Sequence, residues 1–235
     1  MKPLAFSYSK IKNYRTCPKR HYHCDITREF KDDSDALEFG SFFHEAMEKR
    51  IKKGTRLPLT LLRYESWGAE LDTWKKDGPL KAELKLSFDK QFQPTEYFDA
   101  STWWRSRIDV AWFPKWAKDT AVLLDWKTGK PPKAADHDAQ QSGLQQLALS
   151  AQTIFANHPE IEKVRTSYVW VGYDAKPSFE DFTRADMPGL WSGLLPEMKQ
   201  MEEAYRTTSY PPTPSWLCKR FCPVTVCPHH GRDFG

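Results

Sequence analysis

Apolar positions recur along this chain at two periods. Residues 80–88 alternate strictly, with Leu80, Ala82, Leu84, Leu86 and Phe88 on one face and Lys81, Glu83, Lys85 and Ser87 on the other. That predicts a half-buried strand with Glu83 turned to solvent, the alternative being a supporting or substrate-contacting role for Glu83 beside a neighbouring strand. Residues 105–113 and 120–126 predict two more strands, and the short link 114–119 makes them an antiparallel pair. Residues 164–173 are β-branched and aromatic and predict a fourth. Helical spacing governs the rest. Ser9 is a candidate N-cap for a helix over 10–16, with Ile11 and Tyr14 on one face, and Pro18 interrupts it. Asp32, Asp33, Ser34 and Asp35 start a helix over 36–53 that Gly54 ends. Further helices are predicted over 62–76, over 138–156 (Leu144, Leu147, Ala151, Phe155) and from Asp186 to Tyr205 (Leu190, Leu194, Met198, Met201). The order helix, strands, helix, strand, helix predicts an α/β sandwich. No repeat or linker divides residues 1–235, so one domain is expected.

Composition narrows the class. Hydrophobic content of 40%, with 10 Trp and 14 Phe, excludes disorder, and a net charge of +4 excludes a histone-like chain. No apolar run approaches the roughly 20 residues of a membrane span, and the N-terminus lacks a signal-peptide stretch, so a cytoplasmic protein without a membrane is expected. The slight positive charge is uneven. Residues 1–24 hold six Lys and Arg and no Asp or Glu, interleaved with Phe6, Tyr8, Tyr14 and Tyr22. Such a segment suits stacking and phosphate contact with single-stranded DNA, and equally a solvated basic helix packed by its aromatics. Trp103 and Trp104 invite the same two readings, with at least one expected to be buried.

The chemistry concentrates around Asp125-Trp126-Lys127. In a strand, Asp125 and Lys127 project together while Trp126 points into packing. Asp109 occupies a like position on the preceding strand, so a hairpin brings two carboxylates side by side. Such a pair repels unless a cation joins it, and Mg²⁺ suits it. Lysine beside a bound ion can orient an attacking water or stabilise transition-state charge. His44, one turn after Gly40 on the 36–53 helix, offers a nitrogen ligand more at ease with Mn²⁺. Thr128 and Gly129 shape the turn that follows, and Thr128 is equally a candidate phosphate contact. An ordinary Asp–Lys ion pair is the competing reading of the D-x-K triplet alone.

The five cysteines are also uneven: Cys17 and Cys24 near the start, Cys218, Cys222 and Cys227 near the end. Three thiolates within ten residues need a fourth ligand for a tetrahedral or cubane site, and Cys17 supplies it if the chain ends meet. His229 and His230 compete as zinc ligands. Cys24 is left over as a small buried residue.

This constellation resembles the PD-(D/E)XK nucleases, specifically the RecB-like branch that includes the Cas-four family of CRISPR-associated exonucleases. A helix bears Gly40 and His44, a strand bears Arg107-Ile108-Asp109, and Leu124-Asp125-Trp126-Lys127-Thr128-Gly129 follows. A later helix carries Gln146-Leu147 and Ala151. The resemblance implies a restriction-endonuclease-like core, a central mixed β-sheet flanked by helices, over residues 36–206. It implies His44, Asp109 and Asp125 as metal ligands with the Trp126 carbonyl as a fourth, Lys127 as the catalytic lysine and Gln146 beside the site. The family's tyrosine four residues after this glutamine is replaced by Ser150. It further implies that Cys17, Cys218, Cys222 and Cys227 hold a 4Fe-4S cluster joining segments 1–30 and 210–235, with Zn²⁺ as the rival. The activity implied is an Mg²⁺- or Mn²⁺-dependent exonuclease acting on DNA ends or single strands. Its settings would be recombination, repair, phage DNA metabolism or CRISPR spacer processing, with a recombination, helicase or CRISPR-adaptation partner. An inactive DNA-binding scaffold and a zinc-stapled endonuclease are the alternatives.

Overall fold

Ser7, two residues before the expected cap, starts the first helix: its Oγ accepts from the Lys10 N–H, and α1 runs over Tyr8–Thr16. Pro18 then opens the short α2, Pro18–His21, where its fixed φ and missing N–H cost nothing. In the computed structural model, residues 4–31, 34–173 and 177–234 are described; Lys2 of the basic start and the expected helix-starting Asp32 and Asp33 lie outside them. Helix α3 covers Asp35–Lys53 and stops at Gly54, whose φ of 69° is the left-handed conformation that glycine adopts freely. The stretch expected as one helix over 62–76 divides into a 3₁₀ turn, Leu59–Tyr64, and α4, Glu65–Lys76. Buried Arg50 of α3 clamps this junction, 2.5 Å from Glu65 and 2.7 Å from Asp72. Gly68 makes room for it, since a Cβ there would sit 2.7 Å from Arg50 Nε.

Five strands follow: β1 Leu80–Phe88, β2 Trp104–Trp112, β3 Thr120–Lys127, β4 Lys163–Trp170 and β5 Glu180–Thr183. They form one sheet in the order β1-β2-β3-β4-β5. β1, β2 and β3 are successively antiparallel, β3 and β4 are parallel, and the four-residue β5 adds an antiparallel edge that the sequence pattern did not predict. The parallel step requires a crossover, supplied by α5, His137–Asn157. Helix α6, Met187–Thr207, and the short α7, Leu217–Arg220, complete the chain. Asp186 spends its carboxylate on Thr183 N and Oγ1, both at 2.7 Å, and so caps the 3₁₀ turn before α6. No helix among the described residues is long and apolar enough to cross a membrane.

Each face of the sheet has its own core. Phe43, Met47 and Ile51 of α3 and Leu71 of α4 pack with Ala82, Val110, Leu124 and Trp126 on one face. On the other, α5 and α6 pack with Phe88, Trp104, Ile108 and Leu123. Both tryptophans of the 103–104 pair are buried, in an aromatic group with Phe6, Phe88 and Trp191. Phe6 also hydrogen-bonds across to Trp103 and Arg105 like an added strand residue. The basic start therefore contributes core as well as surface.

The alternation expected for β1 does not hold along its length. Leu80 and Ala82 pack against the α3–α4 side, whereas Leu84, Leu86 and Phe88 pack against the α5–α6 side. The change falls at Glu83, a non-glycine residue with φ 50°. β2 changes face at the same level, with Ile108 on one side and Val110 on the other. Ala82 pairs with Val110 and Leu84 with Ile108, so Glu83 and Asp109 stand opposite one another at the switch. A left-handed non-glycine residue costs about 1–2 kcal/mol, which the two separate cores overcome by burying both halves of the strand.

Candidate active site

The face switch lifts Glu83 out of its predicted solvent position. Its carboxylate and that of Asp109 flank His44, whose Nδ1 lies 3.3 Å from Glu83 Oε1 and 3.3 Å from Asp109 Oδ1. Ligand atoms of the three residues lie within 4.8 Å of one another. Asp109 is buried, at 8% exposure, and its second oxygen accepts the Trp126 N–H at 2.8 Å. That amide is available because β2 and β3 pair only over Val110–Trp112 and Val122–Leu124. Beyond Val110 and Leu124 the ladder ends, and the Asp109 side chain takes the place of a backbone acceptor. Arg107 holds the other Glu83 oxygen at 2.9 Å.

Burial works against a charged His44 ring, but hydrogen bonding and attraction to Asp109 and Glu83 outweigh it and raise its pKa to about 10. Without an ion the ring thus carries a proton between two carboxylates. One imidazole and two carboxylates form a mixed N/O donor set that fits a divalent cation, which would take that proton's place. Gly40 of α3 faces the Thr128 hydroxyl just after β3, where a Cβ would stand 3.4 Å away in ordinary contact.

Asp125 and Lys127 sit on the next strand as a second group. Lys127 Nζ is 2.6 Å from Asp125 Oδ2. Gln146 of α5 donates through Nε2 to Asp125 Oδ1 at 2.8 Å, and its Oε1 accepts from Lys127 at 3.4 Å. Burial, opposed by Lys127 and reinforced by Asp109, pushes the Asp125 carboxyl up to about 6. Asp109 and His44 act on Asp125 through charge, yet Asp125 is not one of the three residues whose ligand atoms converge. Trp126 packs with Phe43 and Trp67 on the opposite face.

Tyr168 had no place in the sequence reading. It pairs in register with Asp125 across the parallel β3–β4 ladder. Its hydroxyl donates towards Gln146 Oε1 at 3.0 Å and Gly143 O at 2.9 Å, and Lys127 Nζ lies 4.7 Å from its ring centre. Ser150, at the expected tyrosine position, bonds only back to the Gln146 carbonyl among the described residues. Gly143 leaves room for Tyr168, since a Cβ there would stand 3.1 Å from the ring. A groove of about 960 Å³ opens beside this group, lined by Tyr8, Lys12, Lys127, Lys130, Tyr168 and Trp170. Of the basic, aromatic start, Tyr8 and Lys12 reach the groove. Tyr14 and Tyr22 instead pack with His21 and Tyr210.

The chain ends meet elsewhere. Cys17, Cys218, Cys222 and Cys227 line one pocket with His229. Cys17 Sγ accepts from the Thr213 N–H at 3.3 Å and Cys218 Sγ from the Ser215 N–H at 3.5 Å. Burial pushes the Cys222 thiol up. Among the described residues, only the His44, Glu83 and Asp109 group closes to within 4.8 Å. Cys24, expected to be buried, is half-buried.

Carboxylates and a lysine on adjoining strands of a mixed sheet are faced by a histidine from one helix layer and a glutamine from the other. The family model of the PD-(D/E)XK nuclease superfamily matches residues 5–114 and 105–228, and the chain belongs to that superfamily. No curated protein matches it. Among solved structures, a Eubacterium rectale protein provisionally described as an exonuclease shares the fold with a TM-score of 0.58. The alignment covers 98% of this chain and 89% of that one at 14% identity. SSO0001 aligns with a TM-score of 0.45 and 12% identity, covering 95% of this chain and 85% of that one.

Proposed function

We propose that this protein is a metal-dependent deoxyribonuclease of the RecB-like, Cas-four-type branch, hydrolysing phosphodiester bonds at DNA ends or in single strands. The convergence of His44, Glu83 and Asp109 beside the Asp125–Lys127–Gln146 group carries this reading. His44, Asp109 and Asp125 would hold Mg²⁺ or Mn²⁺ with the Trp126 carbonyl, and Glu83 is added to that set by its position. Such an ion supplies Lewis acidity and a water activated at neutral pH. Lys127, held between Asp125 and Gln146, presents its ammonium where charge develops on the scissile phosphate. Gln146 keeps Asp125 and Lys127 in one arrangement by bonding both. The groove with Tyr8, Tyr168 and Trp170 offers aromatic faces suited to unpaired bases, which favours single-stranded substrate.

The four cysteines are proposed to bind a 4Fe-4S cluster. Two of their sulfurs already accept backbone N–H bonds, as cluster thiolates do.

The test is cleavage of end-labelled single- and double-stranded DNA, linear and circular, with Mg²⁺, Mn²⁺ or chelator. Metal-dependent release from linear ends is expected, and Lys127→Ala and Asp125→Ala abolish it while DNA binding survives. Cleavage of circles would indicate an endonuclease. Full activity in either variant refutes the site assignment, and binding without cleavage in the wild type identifies a scaffold.

A further inference from the structure

We propose that the open edge of β1 binds the sugar–phosphate backbone of the nucleic acid, with Lys81 and Lys85 as its phosphate contacts. This rests on the nuclease reading and names where the substrate runs beyond the reacting phosphate. β1 is the first strand of the sheet, so one of its edges is unpaired within it. Along it lies a groove of about 620 Å³, lined by Lys52 of α3, Lys75 of α4, Lys81, Lys85 and Glu83 of β1 and Arg107 of β2. Lys52 is paired with Glu48, Lys75 with Asp72, and Arg107 with Glu83. Lys81 and Lys85 form no ion pair with a carboxylate among the described residues, although they share a groove with three other cations. Five cations from four elements line the groove against two carboxylates, Glu48 and Glu83, and that positive excess suits a polyanion.

Glu83 gives the groove its direction. It belongs both to the groove and to the group that converges on His44, so a backbone lying along β1 passes straight to that group. Lys81 and Lys85 are four residues apart, at most about 13 Å along the strand, a span that reaches two phosphates of one backbone. Edge-strand lysines also guard against strand pairing between molecules. That role requires no lysines from α3 and α4 facing the same space, and no link to the reactive group.

The experiment uses Lys81→Gln/Lys85→Gln, with Lys199→Gln on α6 as a control on an exposed helix face. Binding of a fluorescent oligonucleotide is followed by anisotropy in chelator over a range of salt. The double variant is expected to bind more weakly, and the slope of log K against log salt to fall by about 1.4 for a single strand or about 1.8 for a duplex. Lys199→Gln leaves the slope unchanged. Cleavage of bis(p-nitrophenyl) phosphate, which carries a single phosphate, falls far less in the variant than oligonucleotide binding does. An unchanged slope overturns the proposal, and an unchanged slope with self-association of the variant assigns the lysines to edge protection. If no protein cleaves the small diester while the slope still shifts, the groove stands and the nuclease reading fails.

Discussion

Replacing Tyr168 by Phe removes one oxygen and leaves the ring under Lys127. The hydroxyl has one proton and two acceptors, Gly143 O at 2.9 Å and Gln146 Oε1 at 3.0 Å. Without it, Gln146 Oε1 keeps only the longer 3.4 Å bond from Lys127. The amide that holds Asp125 Oδ1 at 2.8 Å is then free to swing. A neutral hydrogen bond contributes about 1 kcal/mol net, which corresponds to about fivefold in rate if it is expressed in the transition state. Tyr168 hydrogen-bonds to none of His44, Glu83 or Asp109, and Asp125, the other proposed ligand, keeps its 2.6 Å contact with Lys127, so metal affinity stays within twofold. The assay is steady-state cleavage of end-labelled DNA, with Mn²⁺ binding measured by calorimetry. The expected result is kcat down about fivefold with KM and Mn²⁺ affinity nearly unchanged. Tyr168→Ala loses the ring contact with Lys127 as well and falls further. A kcat within twofold of wild type, or a loss matched by weaker Mn²⁺ binding, refutes the assignment of Tyr168 as a positioning residue.

Glu83→Gln keeps the size of the side chain but removes its charge, and is expected to weaken Mn²⁺ binding at least tenfold, the lower end of what loss of a supporting partner costs a metal site; an unchanged calorimetric Kd removes Glu83 from the ligand set. Metal binding must displace the proton that Asp109 and Glu83 hold on His44, whose pKa is about 10. Apparent affinity should therefore rise about tenfold per pH unit between pH 7 and 9, above the Asp125 pKa of about 6, with one proton released, measurable by calorimetry in buffers of different ionisation heat. The same raised pKa stabilises the ion-free fold fully below the unfolded value of about 6.5, and that contribution disappears as pH climbs through about 10, so chelated protein should melt at lower temperature at pH 10 than at pH 6. Anaerobically purified protein should be brown, with iron and acid-labile sulfide, and Cys17→Ser should lose both and expose the tail to protease, whereas Cys24→Ser should not; a colourless protein with stoichiometric zinc overturns the cluster.

Local pattern carried much of this molecule. Alternation located β1, strand-type runs located β2 to β4, start and stop signals located α3, and helical stripes located α5 and α6, each within a few residues, and the order of these elements implied an α/β sandwich. Hydrogen bonding and burial act on near neighbours in the chain, so such signals survive in sequence. Asp125 and Lys127 were legible together because residues two apart on a strand share a face whatever that strand packs against. Their joining to Gln146 followed from the resemblance and not from spacing. What the tertiary structure alone decided was Glu83 and Tyr168. Strict alternation assigned Glu83 to solvent, because period two assumes that a strand keeps one face throughout. Two cores on opposite sides of the sheet break that assumption, turning the backbone at Glu83 and carrying its carboxylate to His44, thirty-nine residues away. Tyr168 acquires its place only through the parallel register with Asp125, and register is a property of two strands that no single segment of sequence contains.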